Sequence, residues 1–159
     1  RQFRVTSIDC NAFDNPETTG IILPDGLESI SDMAFVVCRL TGEIYIPKSI
    51  KYIGKWTFEG NTEISSIVAD EANPVYDSRG GCNAIIETAN NKLVAGCGTT
   101  IVPDDVRIIG EHAFAGCNSL TSIVIPDSVE SIEEYAFNGC FELKNLTLPA
   151  NCKKAVDIF

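Results

Sequence analysis

Five prolines set a ruler along the chain. Pro24 and Pro47 lie 23 residues apart, and so do Pro103 and Pro126, then Pro126 and Pro149. The gap from Pro47 to Pro103 is 56 residues, two such steps plus ten, and Asp70 stands where the missing proline would fall. Other positions keep step. Ile30 and Ile53 are 23 apart, as are Ile109 and Ile132. Phe35, Phe58, Phe114 and Phe137 each follow their marker by eleven residues, and Phe13 opens the series one residue short. Three residues after each later Phe come Cys38, Asn61, Cys117 and Cys140. Self-similarity at a period of 20 to 50 residues is the signature of a stacked-repeat architecture, in which a coil cannot bury its apolar side alone.

Each step divides into two halves. Leu120-x-x-Ile123-x-Ile125 and Leu143-x-x-Leu146-x-Leu148 read as strands, and because residues two apart share a face, Ile123 and Ile125 point inward together. Proline then stops the strand, since it lacks an N–H for the ladder. In the return half, Val129, Ile132, Ala136 and Phe137 are the inward set. The four-residue spacing of Ile132 and Ala136 predicts a helical or 3₁₀ turn around 133–138. All five phenylalanines are expected in one buried column.

The period resembles a leucine-rich repeat. The wording L-x-x-I-x-I-P-x-S-V-x-x-I-G-x-x-A-F-x-G-C closely resembles the BspA-like, or Treponema pallidum type, repeats over about residues 5–149. That resemblance implies an α/β, right-handed solenoid with a parallel sheet on one face and short helical or 3₁₀ turns on the other. It also implies an exported surface protein of Bacteroides-like bacteria or mucosal protists that attaches to host extracellular or other cell-surface proteins.

Two stretches depart from the pattern. In CRLTGEIYIP the leucine falls one residue early, at Leu40, with Thr41 in the expected core slot, so a local shift or bulge is predicted. In 70–102 the turn signature vanishes. Two apolar runs, Ala84-Ile85-Ile86 and Leu93-Val94-Ala95, flank Thr88-Ala89-Asn90-Asn91, which is a hairpin signal because Asn tolerates positive φ. The expectation is one domain over 1–159, with an insertion at about 71–100 carrying a hairpin at about 82–97. The chain begins in mid-pattern at Arg1, as a segment of a longer or processed product would.

Composition narrows the function. With 12 Lys and Arg against 22 Asp and Glu, the net charge of −10 repels phosphate backbones and anionic bilayers, so neither nucleic acid nor membrane insertion is expected. No apolar run approaches the roughly 18 to 20 residues a spanning helix needs.

Candidate chemistry is sparse. Seven cysteines are an odd number, and no C-x-x-C pair supports zinc, so neither metal nor other cofactor is expected. Cys38, Cys117 and Cys140 share a slot with Asn61, and an inward ladder that packs or satisfies backbone groups is their simplest role. Cys82 and Cys97 bracket the hairpin, as two buried thiols or, alternatively, a disulfide. His112, the lone histidine, shares its slot with Asn11, Met33, Trp56 and Tyr135, and a slot so varied reads as convex surface. Nothing matched stands near it for general-base work, so an enzyme is not expected. Glu133-Glu134 reads as a solvated face. Asp25, Asp104 and Asp127 follow the prolines as turn caps, and Lys48 interrupts any acidic calcium stripe.

The residue two before each marker points outward from its strand: Ile22, Tyr45, Val68, Ile101, Val124 and Thr147. Beside them runs a small polar row, Gly20, Glu43, Ser66, Thr99, Ser122 and Asn145. Stacked coils would line the first row into an apolar stripe with a polar rim, a protein-docking face. Exposed β-branched residues also suit any strand, so a spacer with no ligand of its own is the alternative. Neither end reads as a polar cap, which leaves end-to-end or edge self-association open.

Overall fold

The computed structural model describes residues 4–13 and 15–159. In chain order its strands are Ser7–Ile8 (β1), Ser29–Ile30 (β2), Thr41–Ile46 (β3), Tyr52–Ile53 (β4), Glu63–Ala69 (β5), Tyr76–Asp77 (β6), Ala84–Glu87 (β7), Lys92–Gly96 (β8), Ile108–Ile109 (β9), Ser122–Val124 (β10), Ser131–Ile132 (β11), Asn145–Thr147 (β12) and Lys154–Ala155 (β13). They form a β-solenoid whose coils end at Pro24, Pro47, Asp70, Pro103, Pro126 and Pro149. Parallel ladders run on two sides. The pre-proline strands pair as β3–β5 and β10–β12, and the short strands of the return half stack as β1–β2–β4 and as β9–β11–β13, the latter continued by the hairpin strand β8. The expected core is dry: Ile123, Ile125, Val129, Ile132, Ala136 and Phe137 are all buried.

The expected helical turns are absent from the corners. Among the described residues the sole helix is a 3₁₀ turn at Arg79–Gly81. The segment around 133–138 is a corner in which Tyr135 has φ +57° and Gly139 φ +69°. Asn11, Met33, Trp56 and His112 share that left-handed conformation, with φ of 55°, 56°, 55° and 56°. Such residues cannot propagate a right-handed helix. The hydrogen bonds explain why the conformation is kept. The N–H groups of Met33, Phe35 and Val37 donate to the carbonyls of Lys55, Thr57 and Glu59 one coil further on. Those of His112, Phe114 and Gly116 donate likewise to Glu134, Ala136 and Asn138. Alternate corner donors point along the solenoid axis and those between them close local i→i−3 turns, such as Ala115 N to His112 O and Asn138 N to Tyr135 O, so no i→i−4 ladder forms.

Aromatic rings stack inside the corners, in two runs and not one. Phe13, Phe35 and Phe58 follow one another at centroid separations of 5.1 and 5.9 Å, and Phe114, Phe137 and Phe159 at 5.2 and 6.2 Å. The break falls at the insertion. Nor is every ring buried: Phe13 is 41% exposed, and Phe159, 22 residues after Phe137, meets it at a tilt of 39° and is 64% exposed.

The insertion is a hairpin of β7 and β8, with β6 on its outer edge and β9 on the other. It forms a wall with two buried faces. Ile85 and Ala95 pack into the core of the N-terminal coils, while Ala84, Ile86 and Leu93 pack into that of the C-terminal coils. That is why its strands read as unbroken apolar runs. Arg79 ties the hairpin down, donating to Asp77, Asn91 and Asp105. Gly96 lets the wall reach the corner: a Cβ there would lie 2.2 Å from Phe114 Cε1. Gly96→Ala is therefore expected to cost about 1–3 kcal/mol by overpacking, read as a lower urea midpoint at unchanged m-value.

The early leucine behaves as predicted. Leu40 is fully buried and Thr41 exposed, and the β3–β5 register shifts between Gly42 and Glu43, leaving Ser65 of β5 bulged. The Ser65 carbonyl is taken by the Thr99 hydroxyl at 2.6 Å, which lays residues 99–101 against β5.

Candidate protein-docking face

Side-chain alternation along each pre-proline strand decides which residues face outward. Ile22, Ile101 and Val124 are 93%, 73% and 66% exposed, Tyr45 is 46% exposed, Thr147 is exposed and Val68 half-buried. Register brings two pairs side by side, Tyr45 with Val68 and Val124 with Thr147. Ile22 and Ile101 lie outside the strands, in the extended segments before Pro24 and Pro103. The neighbouring row pairs in the same way, Glu43 with Ser66 and Ser122 with Asn145.

One side of this face is acidic, made of Asp25, Asp104 and Asp127, expected as turn caps, together with Glu71, which the sequence did not single out. Asp25, Glu71, Asp104 and Asp127 are exposed just beyond the coil-ending residues. The Tyr45 hydroxyl donates to Asp70 Oδ2 at 2.6 Å. That bond, then burial, then the charges of Asp70, Asp25 and Glu71, push the phenol above its ordinary value. Asp70 also caps its own turn by accepting from Ala72 N.

The groups that could carry chemistry are placed elsewhere. Cys38 Sγ donates to Phe13 O at 2.8 Å, Asn61 Nδ2 to Phe35 O at 2.7 Å and Cys140 Sγ to Phe114 O at 3.0 Å. At Cys38, Asn61 and Cys140 the shared slot thus satisfies the corner carbonyl one coil back, whereas Cys117, which follows the insertion, has Ser119 Oγ at 3.8 Å instead. Burial drives the Cys140 thiol up to about 12 and raises Cys82 and Cys117. Cys82 and Cys97 are free thiols, both buried. Glu133 is no idle surface residue: its Oε2 accepts from Lys92 Nζ at 2.7 Å and from Glu111 N at 2.9 Å. The signal was present as a Lys at the hairpin tip, but the pairing is 41 residues long and invisible in the chain.

His112 corrects its expectation outright. Its side chain is 7% exposed, not on an open convex surface, because the Trp56 and Tyr135 rings cover it at 4.4 and 5.2 Å. Stacked coils place residues of one slot in van der Waals contact, so variety in a slot did not signify exposure.

Set beside known proteins, the chain belongs to the BspA type leucine rich repeat region family, whose model matches six copies over residues 2–78 and 94–157. The unmatched internal segment, 79–93, holds the 3₁₀ turn, β7, the hairpin turn and the start of β8. A leucine rich cell surface protein of Faecalibacterium prausnitzii A2-165 superposes with a TM-score of 0.76 at 28% identity, over 93% of this chain and 40% of that one. The pneumococcal vaccine antigen PcpA shares the fold, with a TM-score of 0.68 at 20% identity over 81% and 33%. So does a leucine-rich repeat protein from Eubacterium ventriosum ATCC 27560, at 0.51 and 18% over 89% and 57%. The chain thus spans only part of the length of each. A search of curated protein sequences gives no match.

Proposed function

We propose that the chain is a non-enzymatic, protein-binding repeat region of an exported cell-surface protein with an adhesin-like role. The observation that carries this reading is the outward row itself, where Ile22, Tyr45, Ile101 and Val124 remain open to solvent on a regular face. Contiguous exposed apolar residues within a polar surround mark interaction sites. The cell-surface description of the Faecalibacterium protein supports the location. The lone histidine and most cysteines are withdrawn from solvent, which supports binding over catalysis. The acidic border at Asp25, Glu71, Asp104 and Asp127 favours a partner, host extracellular or cell-surface, that presents aliphatic side chains among Lys and Arg.

The test is capture from extracellular-matrix extract and from co-resident bacteria, wild type beside a Tyr45→Asp, Val124→Asp double variant. Tyr45→Asp also removes the bond to Asp70 and sets a carboxylate beside it, so the unfolding free energy, measured in parallel, is expected to fall by about 1–2 kcal/mol with the fold retained. Capture should fall at least about tenfold, the scale of one buried hot-spot contact, and should weaken with added salt. Equal capture by both proteins would overturn the docking face. No capture by either would favour the spacer reading.

A further inference from the structure

The coil that carries the hairpin has no aromatic corner, so the corner at 56–60 meets the corner at 112–116 directly. A Cβ on Gly116 would lie 2.5 Å from Gly60 N. This junction differs from the others. Elsewhere corner N–H groups donate to the next coil, but among the described residues no backbone hydrogen bond joins residues 55–60 to residues 111–116. The Ala113 carbonyl, which could have received one, is taken by Gly96 N at 2.8 Å. The buried core divides at the same level into two clusters, with the hairpin between them. What holds the corners together is side chains: Trp56 against His112, and Lys55 Nζ on Glu111 Oε2 at 2.5 Å.

His112 is the weak member of that set. Neither Nδ1 nor Nε2 has a hydrogen-bond partner, and both are buried. The groups facing it come from three elements. Its own corner supplies Glu111, whose Oε1 is 3.8 Å from Nε2 but whose other oxygen is held by Lys55. The preceding corner supplies Trp56, Lys55 and Glu59, and the following coil supplies Tyr135, Glu134, whose carbonyl accepts His112 N, and Glu133, committed to Lys92. The hairpin presents only Val94, Ala95 and Gly96 to the small cavity beside the ring. A second proton would place a charge in a site where neither ring nitrogen has a hydrogen-bond partner and the nearest carboxylate oxygen, Glu111 Oε1, stands 3.8 Å away, beyond hydrogen-bond reach, on a carboxylate already paired with Lys55.

We propose that this seam is an acid-sensitive joint: protonation of His112 opens the contact between the 56–60 and 112–116 corners and lets the two halves of the solenoid move about the hairpin.

The sign follows from linkage. Burial lowers the affinity of His112 for its proton, opposed by Glu111 and reinforced by Lys55. In the open form the imidazole is hydrated and titrates near its ordinary value of about 6.5. Between that value and the lower one in the closed form, the open form binds more protons, so the closed seam weakens as pH falls. At pH 5.5 the opening equilibrium rises by up to about tenfold, the factor set by one pH unit below 6.5. Glu59, raised by burial, has the opposite sign and acts lower, in the carboxylate range.

His112 is the only histidine, so its ring gives a single titrating NMR signal. Its midpoint is expected below 6.5. Amide exchange over 56–60 and 112–117, corrected for intrinsic rates, should accelerate about three- to tenfold from pH 7.0 to 5.5. In His112→Phe, which keeps a ring but cannot titrate, the acceleration should vanish. A midpoint at or above 6.5 in the wild-type protein overturns the proposal whether or not the variant folds. Equal acceleration in both proteins overturns it too.

Discussion

Phe35→Ala is expected to lower the unfolding free energy by about 3–5 kcal/mol, the largest loss from any single truncation in the corner row. The side chain is fully buried, lies between Phe13 and Phe58, and its backbone N–H belongs to the axial ladder. Alanine leaves a void walled by two rings whose coils are pinned to each other by hydrogen bonds, so the site cannot collapse to fill it. Phe13→Ala, at the open end of the same stack and 41% exposed, should cost only about 1–2 kcal/mol. Urea unfolding of the two variants checks the pair. If they lost equal stability, the stack would not be a closed column, and the account of why the chain repeats would fail.

Much of this architecture was legible because stacking converts a sequence interval into a spatial coincidence. A 23-residue step places Ile30 against Ile53, and the hydrophobic alternation before each proline says which side is dry. The hairpin was legible as well, since its two apolar runs and its Asn-rich turn are local signals. The corner conformation was not. Its driving force is a set of donors aimed at the next coil, and the four-residue spacing of Ile132 and Ala136 mimics a helix although Tyr135 between them is left-handed. The outward row was legible from alternation, but its acidic border was not, because Asp25 and Glu71 reach Tyr45 only through the packing of successive coils. His112 was misread for the same reason: what covers it is supplied by Trp56, 56 residues away, and Tyr135.

Two apparent irregularities, the early Leu40 and the Asn at 61 in a cysteine slot, turn out to be one device. In the regular coils the leucine N–H bonds the cysteine carbonyl three residues back, Leu120 to Cys117 and Leu143 to Cys140. Leu40 comes only two residues after Cys38, so that bond is out of reach. Its N–H instead donates to Asn61 Oδ1 of the next coil at 3.0 Å, while Asn61 Nδ2 serves Phe35 O and Phe58 O at 2.7 and 3.0 Å. Cysteine offers one donor and a weak acceptor, whereas the amide offers two donors and a strong acceptor. Asn61→Leu, similar in size, would orphan the Leu40 N–H and the Phe35 carbonyl in a site 6% exposed, while Phe58 O keeps the backbone N–H of residue 61, and is expected to cost about 3 kcal/mol or more. Asn61→Cys restores the donor that Cys38 and Cys140 supply in their coils and should cost about half as much, the remainder being the unpaired Leu40 N–H. Amide exchange of Leu40 should then accelerate in both variants, while the neighbouring Phe35 corner stays protected only in the cysteine one. A leucine variant as stable as the cysteine variant would mean that position 61 fills space and no more, and that the shift at Leu40 is tolerated for some other reason.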